Sequence, residues 1–334
     1  MPPDLNALPM RVGLGQFHEL TDEMCRFIKQ IGCDDFLMNT PSLPAGDGLW
    51  HLEDLQALTA RADAHQLRLM ALENVPIDFY LDIMLGRPNR EAQIANMIAT
   101  VRNMGRAGIP ILGYHWIPAS VWRTPEPEVL RGGARATRFA LAEHADAPLS
   151  FDREYGAEEM WDNYCWYLDR ILPVAEEAGV RLALHPDDPP VPSLGGVARI
   201  FGSFAGFRRA MDTYDSPHHG LDFCMGCWSE MGGHANVMKS LEYFVPDGKI
   251  LYIHFRDVRG TADCFHECFI DEGQVDTFAV VRRLRELGFS GFMIPDHVPA
   301  TEGDSPWHHR GRAHCVGFTQ ALIQAAESLA PRAA

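Results

Sequence analysis

The chain has 334 residues, 46% of them hydrophobic, enough to bury a large core in one big domain or two small ones. Its 45 acidic against 29 basic residues leave a formal net charge of -16, with no cluster of Lys and Arg to offset it, which argues against nucleic acid and anionic membrane surfaces as partners. The opening MPPDLNALPMRVGLG lacks the pattern of a signal peptide, no run has the roughly 18 apolar residues of a membrane helix, and the 8 cysteines are few, so a cytoplasmic protein with reduced thiols is expected.

From there strand-like and helix-like segments alternate. Met10–Gly15 reads as a first strand and TDEMCRFIKQIG as a helix with Thr21 as its N-cap. Asp34–Asn39 is the second strand, a helix follows from about Leu52 to Gln66, and LRLMALENV is the third strand, ending near Glu73. NREAQIANMIATVRNMGRAG is a long helix that stops at Gly108, before a fourth strand at Ile109–Trp116. Residues 117–155 show no clear period and read as an active-site insertion or lid. The rhythm resumes with the helix EEMWDNYCWYLDRILPVAEEAG and the fifth strand VRLALH. VARIFGSFAGFRRAMD reads as helix, His219–Gly226 as the sixth strand, and roughly Asn236–Phe244 as helix. Lys249–Asp257 is the seventh strand, QVDTFAVVRRLRELG a helix, FSGFMIPDH the eighth strand, and RAHCVGFTQALIQAAESLA the closing helix. The glycines in AGIPILG, AGVRLAL and LGFSGFM read as helix C-caps. Eight strand–helix pairs without GxGxxG or GxxxxGK[ST] define an α/β fold, the (β/α)8 TIM barrel, as one domain over residues 1–334; a doubly wound sheet is the runner-up.

In such a barrel reactive groups gather where strands end and βα loops begin. Glu73, His115 and His185 end the third, fourth and fifth strands; Cys224 lies in the sixth, His254 in the seventh, and Asp296–His297 end the eighth. Two imidazoles, a thiol and a carboxylate (His185, Cys224, His254 and Asp296) on the last four consecutive strands suit a divalent transition metal: thiolate favours Fe, Zn or Co, while histidine and carboxylate keep Mn in range. Taken singly, each has a plainer reading: a hydrogen-bonded histidine, a small buried cysteine, or CMGC pairing with Cys264 and Cys268 in a structural zinc cluster.

LALHPDDPP, SPHHGLDFCMG, IHFRDVRG and FMIPDH together resemble the mannonate dehydratase family, which has a xylose-isomerase-like TIM barrel. LENVPI, the YHWIP and WRT segments and FHECFIDEGQVD extend the similarity over most of the chain. The resemblance implies conversion of D-mannonate to 2-keto-3-deoxy-D-gluconate and water with Mn2+ or Fe2+, Zn2+ or Co2+ ranking below. It places the metal ligands on His185, Cys224, His254 and Asp296, and a catalytic histidine on His297. Four features depart from the family. Its Gly-Tyr-Ser run falls on Arg312, Ala313 and His314, and a histidine it carries three residues before a glycine is Ile270 here. Its YNF motif reads Tyr114–His115–Trp116, and an SPxNG turn has His219 in place of Asn. These changes point to a paralogue in which the metal site is kept and the substrate-facing ring altered.

The expected acid–base residue is His297, with His314, His115 and Glu73 behind it. Arg123 and Arg256 are expected to clamp the carboxylate of a small sugar acid, and Asp187 and Asp188 to hydrogen-bond ligating histidines or substrate hydroxyls. A dehydratase for another aldonate, a sugar isomerase or epimerase, a metal-dependent hydrolase and an inactive sugar-binding barrel are the alternatives. Homo-oligomerisation is left open.

Overall fold

The computed structural model describes residues 8–329. Strands β1 (Arg11–Leu14), β2 (Asp35–Asn39), β3 (Arg68–Glu73) and β4 (Ile111–Tyr114) are followed by two strands outside the barrel, β5 (Thr124–Val129) and β6 (Arg135–Ala140). β7 (Arg181–Leu184) returns to the barrel, then comes a short ribbon, β8 (Ser193–Leu194) and β9 (Val197–Ala198). β10 (His219–Cys224) and β11 (Ile250–His254) precede a hairpin, β12 (Val258–Thr261) and β13 (Cys264–Glu267), and β14 (Phe292–Ile294) comes last. β1, β2, β3, β4, β7, β10, β11 and β14 form a closed parallel barrel, with β14 pairing back onto β1. This is the (β/α)8 architecture expected from the alternation of elements.

The helices are α1 (Asp22–Gln30), α2 (Leu52–Ala64), α3 (Leu81–Met84), α4 (Arg90–Ala107), α5 (Ala157–Ala178), α6 (Phe204–Thr213), α7 (Met225–Glu230), α8 (Gly233–Phe244), α9 (Thr277–Glu286) and α10 (His309–Ser328). Thr21 caps α1 by accepting from the Met24 amide at 3.1 Å, as the sequence predicts. Gly108 and Gly179 end α4 and α5 in the left-handed conformation, which their lack of a Cβ makes inexpensive. Leu37, Met70, Ile111, Leu251, Phe292 and Ile294, all on barrel strands, form an apolar cluster of their own, apart from the larger core that includes the helices. At the N-terminal end of the barrel Asp35 joins Arg11 and Arg68, tying three adjacent strands. No described helix is long and apolar enough to cross a membrane.

Three expectations are corrected. The segment from Val197 is not helical from its start: Val197–Ala198 pairs with Ser193–Leu194, and α6 begins only after Ser203, whose hydroxyl accepts from the Gly206 amide at 3.2 Å. The chain after Cys224 turns at once into α7, which the hydrophobic run CMGCW concealed. Residues 117–155 are not irregular throughout. They contribute β5 and β6 to a four-stranded antiparallel sheet, in the order β12-β13-β6-β5, completed by the hairpin after β11. Pro125 and Pro127 and a mostly exposed face remove the hydrophobic alternation by which β5 would be read.

Candidate metal centre

The parallel register brings the donor groups together. Cys224 stands opposite His254, and His254 opposite Ile294, two residues before Asp296; Leu184, which precedes His185, pairs with Leu221 on the neighbouring strand. Donor atoms of His185, Cys224 and His254 lie within 4.8 Å of one another, and Asp296 Oδ2 is 3.5 Å from His254 Nδ1. His185 Nδ1 donates to its neighbour's carbonyl, Pro186 O, at 2.7 Å, which leaves Nε2 free to present a lone pair. His254 is oriented from the other side: its Nε2 bonds Glu73 Oε2 at 2.7 Å and lies 3.4 Å from Asp222 Oδ2. Glu73 is itself held by Gln16 Nε2 at 2.9 Å and the Tyr252 hydroxyl at 3.3 Å. That hydroxyl reaches Glu73 only because residue 113 is glycine; a Cβ there would sit 2.2 Å from Tyr252 Oη.

The electrostatics are those of a cluster short of positive charge. Burial opposes a charged imidazole, yet Asp222 and the Cys224 sulfur outweigh it and raise His185 to about 10. Burial likewise works against the charge on His254, but Asp222, Glu73 and Asp296 hold it well above the usual histidine range. For Cys224 burial favours the thiol, and the Cys227 hydrogen bond, Arg256 and the two histidines overcome it. Asp222 is driven the other way, well above the carboxylate range, chiefly by burial. His254 Nδ1 and both carboxylate oxygens of Asp222 are buried without a hydrogen-bond partner. Buried polar atoms are rarely left so. The donor set of two imidazoles, a thiol and a carboxylate, with an orphaned ring nitrogen pointing at it, fits a divalent transition ion. Protons on His185 and His254 occupy the place of the positive charge such an ion brings.

Beside it lies an arginine network. Arg123 donates to both oxygens of Asp188 (2.6 and 2.8 Å), to Glu267 Oε1 (2.9 Å), to Trp122 O (3.0 Å) and to Thr137 Oγ1 (3.3 Å). Arg256, 2% exposed, has acceptors on all three nitrogens: Asp296 Oδ2 at 2.9 Å, Glu230 Oε1 at 3.2 Å, and Asp188 Oδ2 and Cys227 Sγ at 3.1 Å. The carboxylate clamp expected of these arginines therefore has little to work with, since their donors are committed inside the protein. Burial disfavours the Asp188 carboxylate, but the two arginines hold it down at about 2. Asp187 instead accepts from the Phe201 amide at 2.6 Å, and burial raises it to about 6. Both aspartates serve the loop and the network; neither hydrogen-bonds His185. Asp188, Cys227 and Glu230 also gather metal-type donor atoms within 4.8 Å, but the Arg256 guanidinium already supplies their cation.

Of the expected acid–base residues, His297 is best placed. Its side chain is 42% exposed, and Nδ1 bonds Glu267 Oε1 at 2.5 Å, leaving Nε2 unengaged by any hydrogen bond. Burial lowers its affinity for a proton, but Asp296 and Glu267 more than compensate, so the imidazole is raised above the ordinary range. His115 accepts the Ile117 amide on Nδ1 at 3.2 Å; burial, then His185 and Arg199, lower it to about 3, so it is a neutral Nε2–H donor. Glu73 is occupied in holding His254. His314 lies against Phe269 and Phe318, 4.0 Å from Asp271, and lines with His297 and Ile270 a narrow crevice beside α10. Arg312 is buried and donates to Pro295 O (2.8 Å) and Asp296 O (2.7 Å), bracing the exit of β14; Ala313 has no group to offer. Cys264 is exposed, and neither it nor Cys268 joins Cys224 or Cys227 in a cluster of metal-type donors among the described residues, so CMGC forms no four-cysteine site with them there.

Sequence reasoning did not single out Asp222, Glu230 or Glu267. Asp222 was legible in principle, because it precedes Cys224 by two and so shares its side of β10. Glu267 was not, since its approach to His297 depends on the hairpin packing against β6.

A closed parallel barrel with a histidine–thiol–carboxylate cluster where its strands end defines a class of protein, the TIM barrels with a candidate metal site. Within it the chain belongs to the D-mannonate dehydratase (UxuA) family, whose profile matches residues 19–150 and 143–332. It is 31% identical over 289 residues to a mannonate dehydratase of Streptococcus suis, covering 78% of each chain. It is 29% identical over 341 residues to mannonate dehydratase 2 of Halalkalibacterium halodurans, covering 94% of this chain and 96% of that one. The solved structure of mannonate dehydratase from Streptococcus suis serotype 2 superposes with a TM-score of 0.86 at 29% identity, over 96% of this chain and 95% of that chain. An L-ribulose 3-epimerase structure, at 14% identity and a TM-score of 0.62, shares the fold.

Proposed function

We propose that this protein is a hydro-lyase that dehydrates a sugar acid, D-mannonate to 2-keto-3-deoxy-D-gluconate, with Mn2+ or Fe2+ held by His185, Cys224, His254 and Asp296. The observation that carries this reading is the meeting of two devices at one mouth: the orphaned histidine–thiol cluster and, one residue beyond Asp296, the His297–Glu267 pair. Membership of the family supports the reaction.

His185, Cys224, His254 and Asp296 would hold the ion, which would supply Lewis acidity for the acidic end of the substrate. The chain supplies the rest. Glu267 accepts the Nδ1 proton of His297, so Nε2 faces the mouth as the atom that takes or returns a proton. His115, held neutral, donates from Nε2 to a substrate oxygen and cannot serve as an acid. Glu73 and Pro186 O fix the rings of His254 and His185, and Arg256 aims the Asp296 carboxylate. In balance, C2 loses a proton, C3 loses hydroxide, and the resulting enol becomes the keto acid.

The test is an assay of the purified protein on D-mannonate and other aldonates, after chelation and after reloading with Mn2+ or Fe2+, reading 2-keto-3-deoxy acid. The expected result is product from D-mannonate only with the ion. Product from another aldonate alone would change the substrate and keep the reaction. Undiminished turnover after complete metal removal would sink the metal reading.

A further inference from the structure

The metal centre and its acid–base histidine sit where the barrel strands end. The opposite end of the same barrel holds a cavity of about 390 Å³, within the size range of small-molecule sites, which the proposed reaction does not use. Its floor is apolar: Met70, Ile111, Leu251 and Phe292 are buried side chains of the barrel's own cluster. Gly248 and Gly288, both at positive φ, border it, and a Cβ at either would meet nothing within 4 Å, so the space beside them is open. Two guanidiniums line it as well. Arg181, the first residue of β7, is half-buried and held by neutral acceptors: Nε donates to Pro217 O at 3.1 Å and Nη2 to Gly248 O at 2.9 Å. Its Nη1 has no hydrogen-bond partner among the described residues. Burial lowers its affinity for a proton, and no carboxylate offsets that. Arg11, at the start of β1, gives Nε to Asp35 and Nη1 to Ser290 O at 2.8 Å. Asp35 is shared with Arg68, so one carboxylate serves two cations. Asp247, exposed, is the one acid among the lining residues. Arg11, Arg68 and Arg181 against Asp35 and Asp247 leave one positive charge, in a chain whose net charge is -16. A half-buried cation short of an acid is costly, and a carboxylate entering the cavity would relieve it.

We propose that this cavity is a second binding site, for a small monocarboxylate with an apolar body. The carboxylate pairs with Arg181, Arg11 adds to the field that attracts it, and the body lies on the apolar floor. A single excess charge matches a monoanion better than a phosphate dianion, and the floor offers a phosphate nothing. The cavity is remote from the residues assigned to chemistry, so its ligand does not depend on the proposed reaction.

The experiment titrates para-fluorobenzoate into the whole metal-loaded protein and follows it by fluorine NMR, while methyl signals of isotope-labelled methionine and isoleucine locate it. The expected result is saturable binding that shifts the methyls of Met70 and Ile111. Arg181→Met should weaken binding about ten-fold or more, with melting temperature confirming that the variant is folded. Asp247→Asn changes an exposed side chain and should tighten binding about two-fold by removing a like charge, which keeps the test decisive if Arg181→Met fails to fold. The neutral para-fluorobenzamide should bind about ten-fold more weakly than the acid, and inorganic phosphate should not displace it. No saturable binding would overturn the proposal, as would equal affinity for the amide or displacement by an equal concentration of phosphate. An affinity unchanged in both variants would overturn it too. Binding lost on chelation would put the probe at the metal centre and overturn the second site while leaving the metal reading intact.

Discussion

Two charged clusters share the mouth of this barrel, and they are built on opposite principles. In the arginine network nearly every donor has an acceptor, and Glu230 Oε2 is the one buried orphan among its carboxylates: Arg123 and Arg256 tie together Asp188, Glu230, Glu267 and Asp296. In the histidine–thiol cluster the rings are aimed with equal care, yet His254 Nδ1 and both Asp222 oxygens have no partner. A protein leaves buried polar atoms unsatisfied at a cost of about 1–3 kcal/mol each, and three such atoms clustered beside a thiol, where the other buried orphans are scattered, fit a place for something that is not protein. The paired cluster is a frame, and the orphaned one is a socket. They meet at Asp296, which faces His254 on one side and Arg256 on the other.

The contrast is broken first by removing one residue from each cluster. His254→Ala should abolish stoichiometric metal binding and lower turnover by about 10^3-fold or more, measured by elemental analysis and product assay. Its fold should largely survive, because the Glu73 carboxylate left behind still has Gln16 and Tyr252. Arg256→Met should instead cost mainly stability, about 3–5 kcal/mol in urea unfolding, because Glu230 would lose its guanidinium, Asp296 its brace, and Asp188 would keep only Arg123. If the two variants lose comparable stability and comparable metal, frame and socket are one unit and the distinction fails.

A smaller effect separates orientation from coordination. Glu267→Gln should cut turnover about 10–100-fold while leaving metal content and KM near those of the wild type, since Glu267 touches His297 and no donor atom of the cluster. Glu267→Asp should restore part of the loss. A variant that loses its metal would show that the hairpin holds the socket too.

The same division explains what could be read without the structure. The barrel was legible because its strands are short apolar runs between helices with recognisable caps, such as Thr21 and Gly108. His185, Cys224, His254 and Asp296 were legible because strand ends in a barrel converge whatever the loops do, and the structure does bring three of these groups together, with Asp296 against His254. The network was not. Glu267 ends one strand of an accessory sheet and Arg123 stands just before another, and the sheet's pairing of β13 with β6 joins segments more than a hundred residues apart and has no periodic signature. The arginines read as free clamps because sequence shows that a guanidinium is present and not how many carboxylates surround it.

The gentlest way to test the socket changes no residue. In the ion-free protein His185 is raised to about 10, so at pH 7 it carries a proton that an arriving ion must displace. A histidine whose folded value lies above its unfolded one stabilises the ion-free fold fully below about 6.5, and this stabilisation is lost as pH rises through about 10. Proton and ion therefore compete in that window. Apparent metal affinity should rise about ten-fold per pH unit for each proton displaced between pH 6 and pH 8, with proton release seen by titration calorimetry in buffers of different ionisation enthalpy. The frame should show no such slope: the Asp188 carboxylate, held at about 2 by its arginines, is already ionised throughout that range. Affinity independent of pH with no proton released would mean that the protons on the histidines do not stand where the ion goes, and would dissolve the distinction at its most sensitive point.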